Sequence, residues 1–176
     1  MRTVRLWQYL FLTFLMFCDT VLAVIFNNIG LSNINFISSM AFIGLLLFQQ
    51  TDSTADLAIK IVIVGFWMEL NHVDSFPMFV ASYLLTFIIM GLLKQFIGTE
   101  IQEFYILVIL AVSLKEFIMY LLLVLFKGVH INLINFIVQR SFWVIIGALV
   151  VVPFVVSLNK KMHRKILEKA QNMYIH

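Results

Sequence analysis

The chain has 176 residues, of which 62% are hydrophobic and 12% charged, with a net charge of +3 and a mean hydropathy of +1.03. Soluble domains run near half apolar and a quarter charged, so a water-soluble chain of this size would leave too much apolar surface exposed. An all-α, polytopic membrane protein with almost no soluble domain is expected, and the lone Cys18 excludes an intrachain disulfide.

A spanning helix takes about 20 apolar residues. Residues 6–26 supply the first. Arg2 and Arg5 ahead of that run imitate a signal peptide, yet no small-x-small cleavage pattern follows, so a retained first helix is expected. It ends at Asn27, Asn28 and Gly30. A second span is expected over 32–49 and a third over 57–71, both short, with a polar break between them at 49–56. The third ends at Asn71, His72 and Asp74, before Pro77. Residues 77–97 and 104–126 are full-length spans, and 136–158 forms the sixth. The last contains Pro153, a residue that membrane helices tolerate. The runs are apolar on all sides, with no linker and no detectable internal repeat, as expected where helices meet lipid and one another.

Residues 159–176 form a basic tail bearing Lys160, Lys161, Arg164, Lys165 and Lys169. Met162, Ile166, Ala170 and Met173 recur there at helical spacing, which predicts a weakly amphipathic helix on the membrane surface. It reads as a topology anchor or as a contact for an anionic lipid or cytosolic partner. No aromatic interleaving favours nucleic acid. Arg2, Arg5, Lys94 and the tail cations all fall on one side of a six-span topology. The opposite loops, about 27–33, 71–76 and 127–135, carry only Lys127. That asymmetry places both termini in the cytoplasm of a multi-pass cell-membrane protein.

Charges inside spans are costly, and five stand out: Asp19, Glu69, Lys115, Glu116 and Arg140. Asp19, Glu69 and Arg140 sit toward the outer leaflet, where two carboxylates around one guanidinium would form a cluster. Lys115 and Glu116 are adjacent and point about 100° apart, so each is expected to find a partner on another helix or line a polar cavity. Helix-to-helix glue, a solute or proton path, and a docking surface all remain open as uses for these groups. No GxGxxG, P-loop or HExxH pattern occurs, and no Cys/His cluster has metal spacing, so no cofactor, metal or catalytic role is expected. His72 and Asp74 read as a solvated loop.

The order of these features resembles the MreD family of bacterial rod-shape-determining membrane proteins, in its Gram-positive version. The first span carries Asp19 within FCDTVLAVIF, where family members place an acidic residue. The third span and its exit, VGFWMELNHVDSFPMF, match the family's glycine-bearing helix that ends in an acid, with Gly65 and Glu69 at those positions. The last span, RSFWVIIGALVVVPFVVSL, resembles the family's final helix, with Pro153 before the basic tail. The resemblance implies a non-catalytic scaffold of the elongation (rod) complex. Such a protein binds the bitopic protein MreC and links MreB filaments to a RodA-type glycosyltransferase and a class B penicillin-binding protein. The alternative is a substrate-binding subunit of an energy-coupling-factor vitamin transporter, whose six-helix fold resembles that of MreD. Those subunits carry Ala-x-x-x-Ala on the first helix, where this chain has only Ala23, and the loops here are short.

Overall fold

The first helix, α1 (Arg2–Asn28), turns its apolar residues outward. Leu6, Leu10, Phe14, Phe17, Val21 and Val24 recur every three or four positions and are all exposed. The opposite face buries Gln8 and Asp19 among Phe11, Leu12, Leu15 and Met16. An apolar exterior around polar interior groups is the arrangement a lipid environment selects.

The computed structural model describes residues 2–28, 38–49, 51–71, 77–93, 101–128 and 132–174. Among them all regular elements are helical. After α1 come α2 (Met40–Phe48), α3 (Thr54–Asn71), α4 (Met78–Leu93) and α5 (Ile101–Lys127). A short α6 (Leu133–Phe136), a π-helical turn (Ile137–Ser141) and α7 (Phe142–Tyr174) complete the chain as one uninterrupted rod.

Local chemistry fixes the element ends. Ser53 Oγ accepts the Asp56 N–H at 3.4 Å and donates to its carboxylate at 3.1 Å, a reciprocal cap that starts α3. Pro77 opens α4, where a missing N–H costs nothing, and its carbonyl accepts from Ala81 at 3.1 Å. Gly128 takes φ +58 after the last residue of α5, the left-handed conformation that stops a helix and that glycine adopts without strain. Asn132 Oδ1 then accepts the Ile134 N–H at 3.1 Å and caps α6.

Successive helices alternate in direction. The near end of the bundle holds the start of α1 and the α2–α3 turn; the far end holds the finish of α1 and the starts of α2, α4 and α6. Three hairpins result: α1–α2, α3–α4 and α5–α7. An aromatic ladder forms the centre, with Phe79 edge-on to Tyr83, Tyr83 edge-on to Phe42, and Phe42 edge-on to Phe87. Val64, Val108, Val112 and Val144 close around it without exposure.

Three helical stretches are long and apolar enough to cross a membrane: Val4–Phe26, Gln102–Phe126 and Leu133–Met162. They coincide with the expected first, fifth and sixth spans. Met78–Leu92 is apolar but shorter. The 18-residue α3 has sufficient length but carries Asp56, Lys60 and Glu69. The nine-residue α2 reaches only about 14 Å at 1.5 Å per residue. Residues 32–37 of the expected second span, His72 and Asp74, and Lys94 lie outside the described residues. The tail is not a separate helix, since α7 runs through residue 158 to Tyr174. The side chains of Ile166, Ala170 and Met173, on which its amphipathic reading rests, lie outside those described.

Candidate functional site

A helix start has backbone N–H groups with no partner inside the helix, and a partial positive charge. Lipid cannot satisfy such groups, so a helix that begins inside a bundle needs an acceptor from elsewhere in the protein. Asp19 supplies one. It lies on the buried face of α1, and its two carboxylate oxygens each accept a backbone N–H of α2, from Met40 and Ala41, at 2.9 Å. Met40 and Ala41 are themselves buried, which explains how α2 can be so short.

Glu69 repeats the device. From the end of α3 its Oε1 accepts the N–H groups of Phe79 at 2.5 Å and Val80 at 3.2 Å, in the first turn of α4. Gly65, one turn earlier on α3, faces the same residue. A methyl group there would stand 2.9 Å from the Val80 Cα, so glycine permits the backbone approach that brings Glu69 within reach. In the first hairpin the glycine is on the capped helix instead. A Cβ on Gly44 of α2 would come 2.7 Å from the tip of Leu15, one turn below Asp19 on α1.

The third hairpin is closed by ion pairs. Glu116 on α5 meets Lys115 Nζ at 3.0 Å through one oxygen and Arg140 Nε at 2.9 Å through the other. The Lys115 ammonium also donates to Ser39 Oγ at 3.4 Å and lies 5.3 Å from the Phe42 ring. The Arg140 guanidinium lies 5.6 Å from Phe136 and 5.9 Å from Phe79. Arg140 sits in the π-helical turn, whose extra residue shifts the register of the rod around it. Charge-assisted contacts of this kind are the stronger ones, and here Lys115 and Glu116 are almost fully removed from solvent while Arg140 is partly buried.

Two expectations are corrected. Arg140 does not gather Asp19 and Glu69. It takes Glu116, the acid on the adjacent α5, while Asp19 and Glu69 are engaged by helix starts that directly follow them in the chain. Nor does it use the expected two-pronged fork: Nε makes the bond, and Nη2 has no hydrogen-bond partner among the described residues. Lys115 and Glu116 do meet each other, although each also finds the expected partner on another element, Ser39 for Lys115 and Arg140 for Glu116. The four-carbon lysine stem sweeps the angle between adjacent helix positions, and burial makes the pairing worthwhile.

Sequence reasoning missed a second polar group, toward the near end. Lys60 on α3 is 1% exposed and pairs with Asp52 in the α2–α3 turn. Its Nζ also donates to Gln8 Oε1 at 2.6 Å, and Gln8 Nε2 donates to Asp52 Oδ1 at 2.9 Å. The rings of Phe48 and Tyr9 flank the ammonium at 4.9 and 5.4 Å. The signal was an isolated cation in LAIKIVIVGFW, close enough to the polar break at 49–56 to be read as part of it. Pro153 joins neither group. It is exposed in the middle of α7, on the wall of a groove toward the near end.

Chemically, these arrangements fasten helix to helix. Asp19, Glu69, Glu116 and Lys60 each bond across to another element. No group of three or more His, Cys, Asp or Glu placed to hold a metal occurs among the described residues. No family model, no curated protein and no solved structure matches this chain.

Proposed function

We propose that the chain is a six-span protein of the bacterial cell membrane with both termini in the cytoplasm, acting as a non-catalytic scaffold of the MreD type. The observation that carries this reading is the joint work of Gly65 and Glu69. They are the two positions on which the sequence resemblance chiefly rests, and they fasten α3 to the start of α4 as one unit. The buried charges support it further, since a rigid bundle stitched at each hairpin suits a protein that holds others in place. The topology follows from the charge asymmetry of the loops and tail, with α2, α3 and α4 as shorter spans braced by the long ones.

In this reading the bundle packs laterally against an MreC-like bitopic protein. Through that complex it connects MreB filaments to a RodA-type glycosyltransferase and a class B penicillin-binding protein during wall elongation. Lipid-facing helices with short loops achieve such contacts by close packing inside the bilayer.

Depletion tests the proposal. Cells lacking the protein are expected to lose rod shape and the normal pattern of wall insertion, and the tagged protein is expected to co-purify with a bitopic membrane protein. Normal shape combined with loss of uptake of one vitamin, or co-purification with a pair of ATPases, would end the scaffold reading in favour of the transporter subunit.

A further inference from the structure

Toward the near end, α7 and Tyr105 of α5 line an open groove of about 500 Å³, a size within the range of small-ligand sites. One stripe of α7 forms its main wall. Val152, Pro153 and Val156 come first, then Ser157, and then Lys160, Lys161 and Arg164. Tyr105, half-buried on α5, faces them. Positions 153, 156, 157, 160, 161 and 164 share one helical face, so the groove grades from apolar to hydroxyl to cationic along the axis. Val156 and Lys160 are about 6 Å apart along that axis, and Pro153 and Arg164 about 17 Å.

The apolar part lies within the membrane-crossing stretch Leu133–Met162, while the cations gather at and just beyond its end. All three cations are exposed. Among the described residues that line the groove there is no carboxylate. A phospholipid has the same gradient: acyl chain, glycerol ester, then phosphate at the membrane surface.

We infer that this groove is a binding site for one anionic phospholipid, with its phosphate at Lys160, Lys161 and Arg164 and an acyl chain along Val152, Pro153 and Val156. Pro153 contributes by shape, giving the wall a compact apolar ring without an N–H. The lipid would lie between Tyr105 and α7 and set the height of the basic tail against the headgroup layer. The inference rests on the chain being embedded in a membrane and is independent of the scaffold reading.

The test uses the purified full chain, incubated with mixed micelles of phosphatidylglycerol and phosphatidylcholine, with retained lipid counted by native mass spectrometry. Wild type is expected to retain phosphatidylglycerol selectively. K160Q/K161Q should lower that retention roughly tenfold, since each basic residue at a membrane surface contributes substantially. V156W fills the groove without changing charge and should lower it comparably, whereas K127Q should leave it unchanged. Equal losses in K127Q and K160Q/K161Q would overturn the site in favour of diffuse charge. Undiminished retention in a folded V156W, or full displacement of the lipid by millimolar inorganic phosphate, would overturn the acyl-chain component and with it the assignment to a lipid. If V156W does not fold, the double lysine variant against K127Q decides, because both lysines are exposed.

Discussion

The two halves of the bundle handle buried charge differently. In the far half, Asp19 and Glu69 bind backbone N–H groups at helix starts, and Glu116 is held between two cations on α5 and the π-helical turn. In the near half a single buried lysine is tied to a turn, through Asp52, and to α1, through Gln8. In the far half each acid thus serves the helix that follows it, while Lys115 reaches across to Ser39 at the start of α2. The near group joins α1 to α3 across a hairpin boundary. A device that acts within a hairpin can recur along a chain, and the three far acids, Asp19, Glu69 and Glu116, stand 50 and 47 positions apart. The near group occurs once and ties two of the hairpins together.

The largest effect is expected in the far half. Arg140→Met leaves Glu116 with Lys115 alone, and breaking a buried pair typically costs about 3–5 kcal/mol. Its thermal midpoint in detergent should fall well below that of Lys127→Gln; equal midpoints would mean that the ion triad contributes nothing. Lys60→Met probes the near half. Asp52 would keep the Gln8 donor, so a smaller loss of about 2–3 kcal/mol is expected. Restoration by the double variant Lys60→Met/Asp52→Asn would show that the loss came from the uncompensated acid, and no restoration would place it in lost packing.

Glu69→Leu strands two N–H groups at the start of α4 and should cost about 1–3 kcal/mol, with Glu69→Gln recovering part because an amide oxygen still accepts. Hydrogen exchange at Phe79 and Val80 reports this locally; unchanged protection in the Leu variant would refute the cap. The smallest effect belongs to Ser53→Ala, which removes a partly exposed cap at the near end and should cost about 1 kcal/mol. A loss as large as that of Arg140→Met would erase the contrast between the halves.

The far-half charges were legible as a set because each stands alone in an apolar run, where a charge demands a partner. Their partners were not legible. Periodicity says nothing of backbone N–H groups as acceptors' targets, so the sequence alone points Asp19 and Glu69 to a guanidinium instead of to Met40, Ala41, Phe79 and Val80. The π-helical turn around Arg140 is equally silent in QRSFW, because its extra residue follows from packing and not from composition. Gly65 was marked only by resemblance, and its cause is the approach of Val80, a contact between helices. The near group was hidden by proximity to hydrophilic residues that do lie outside the apolar runs. Span count stands apart: three helices are long and apolar enough to cross a membrane, while α2 is short and α3 carries charges whose polar partners come from neighbouring elements.

A double-mutant cycle on Glu116 and Arg140, read by thermal unfolding of the purified protein in detergent, tests most directly whether buried charge stitches the hairpins. Arg140→Met and Glu116→Gln should each destabilise, and the two together should cost clearly less than their sum, with a coupling of about 1–3 kcal/mol for a pair in direct contact. Strict additivity would show that the two side chains do not meet, and the stitched-hairpin account would fail with it.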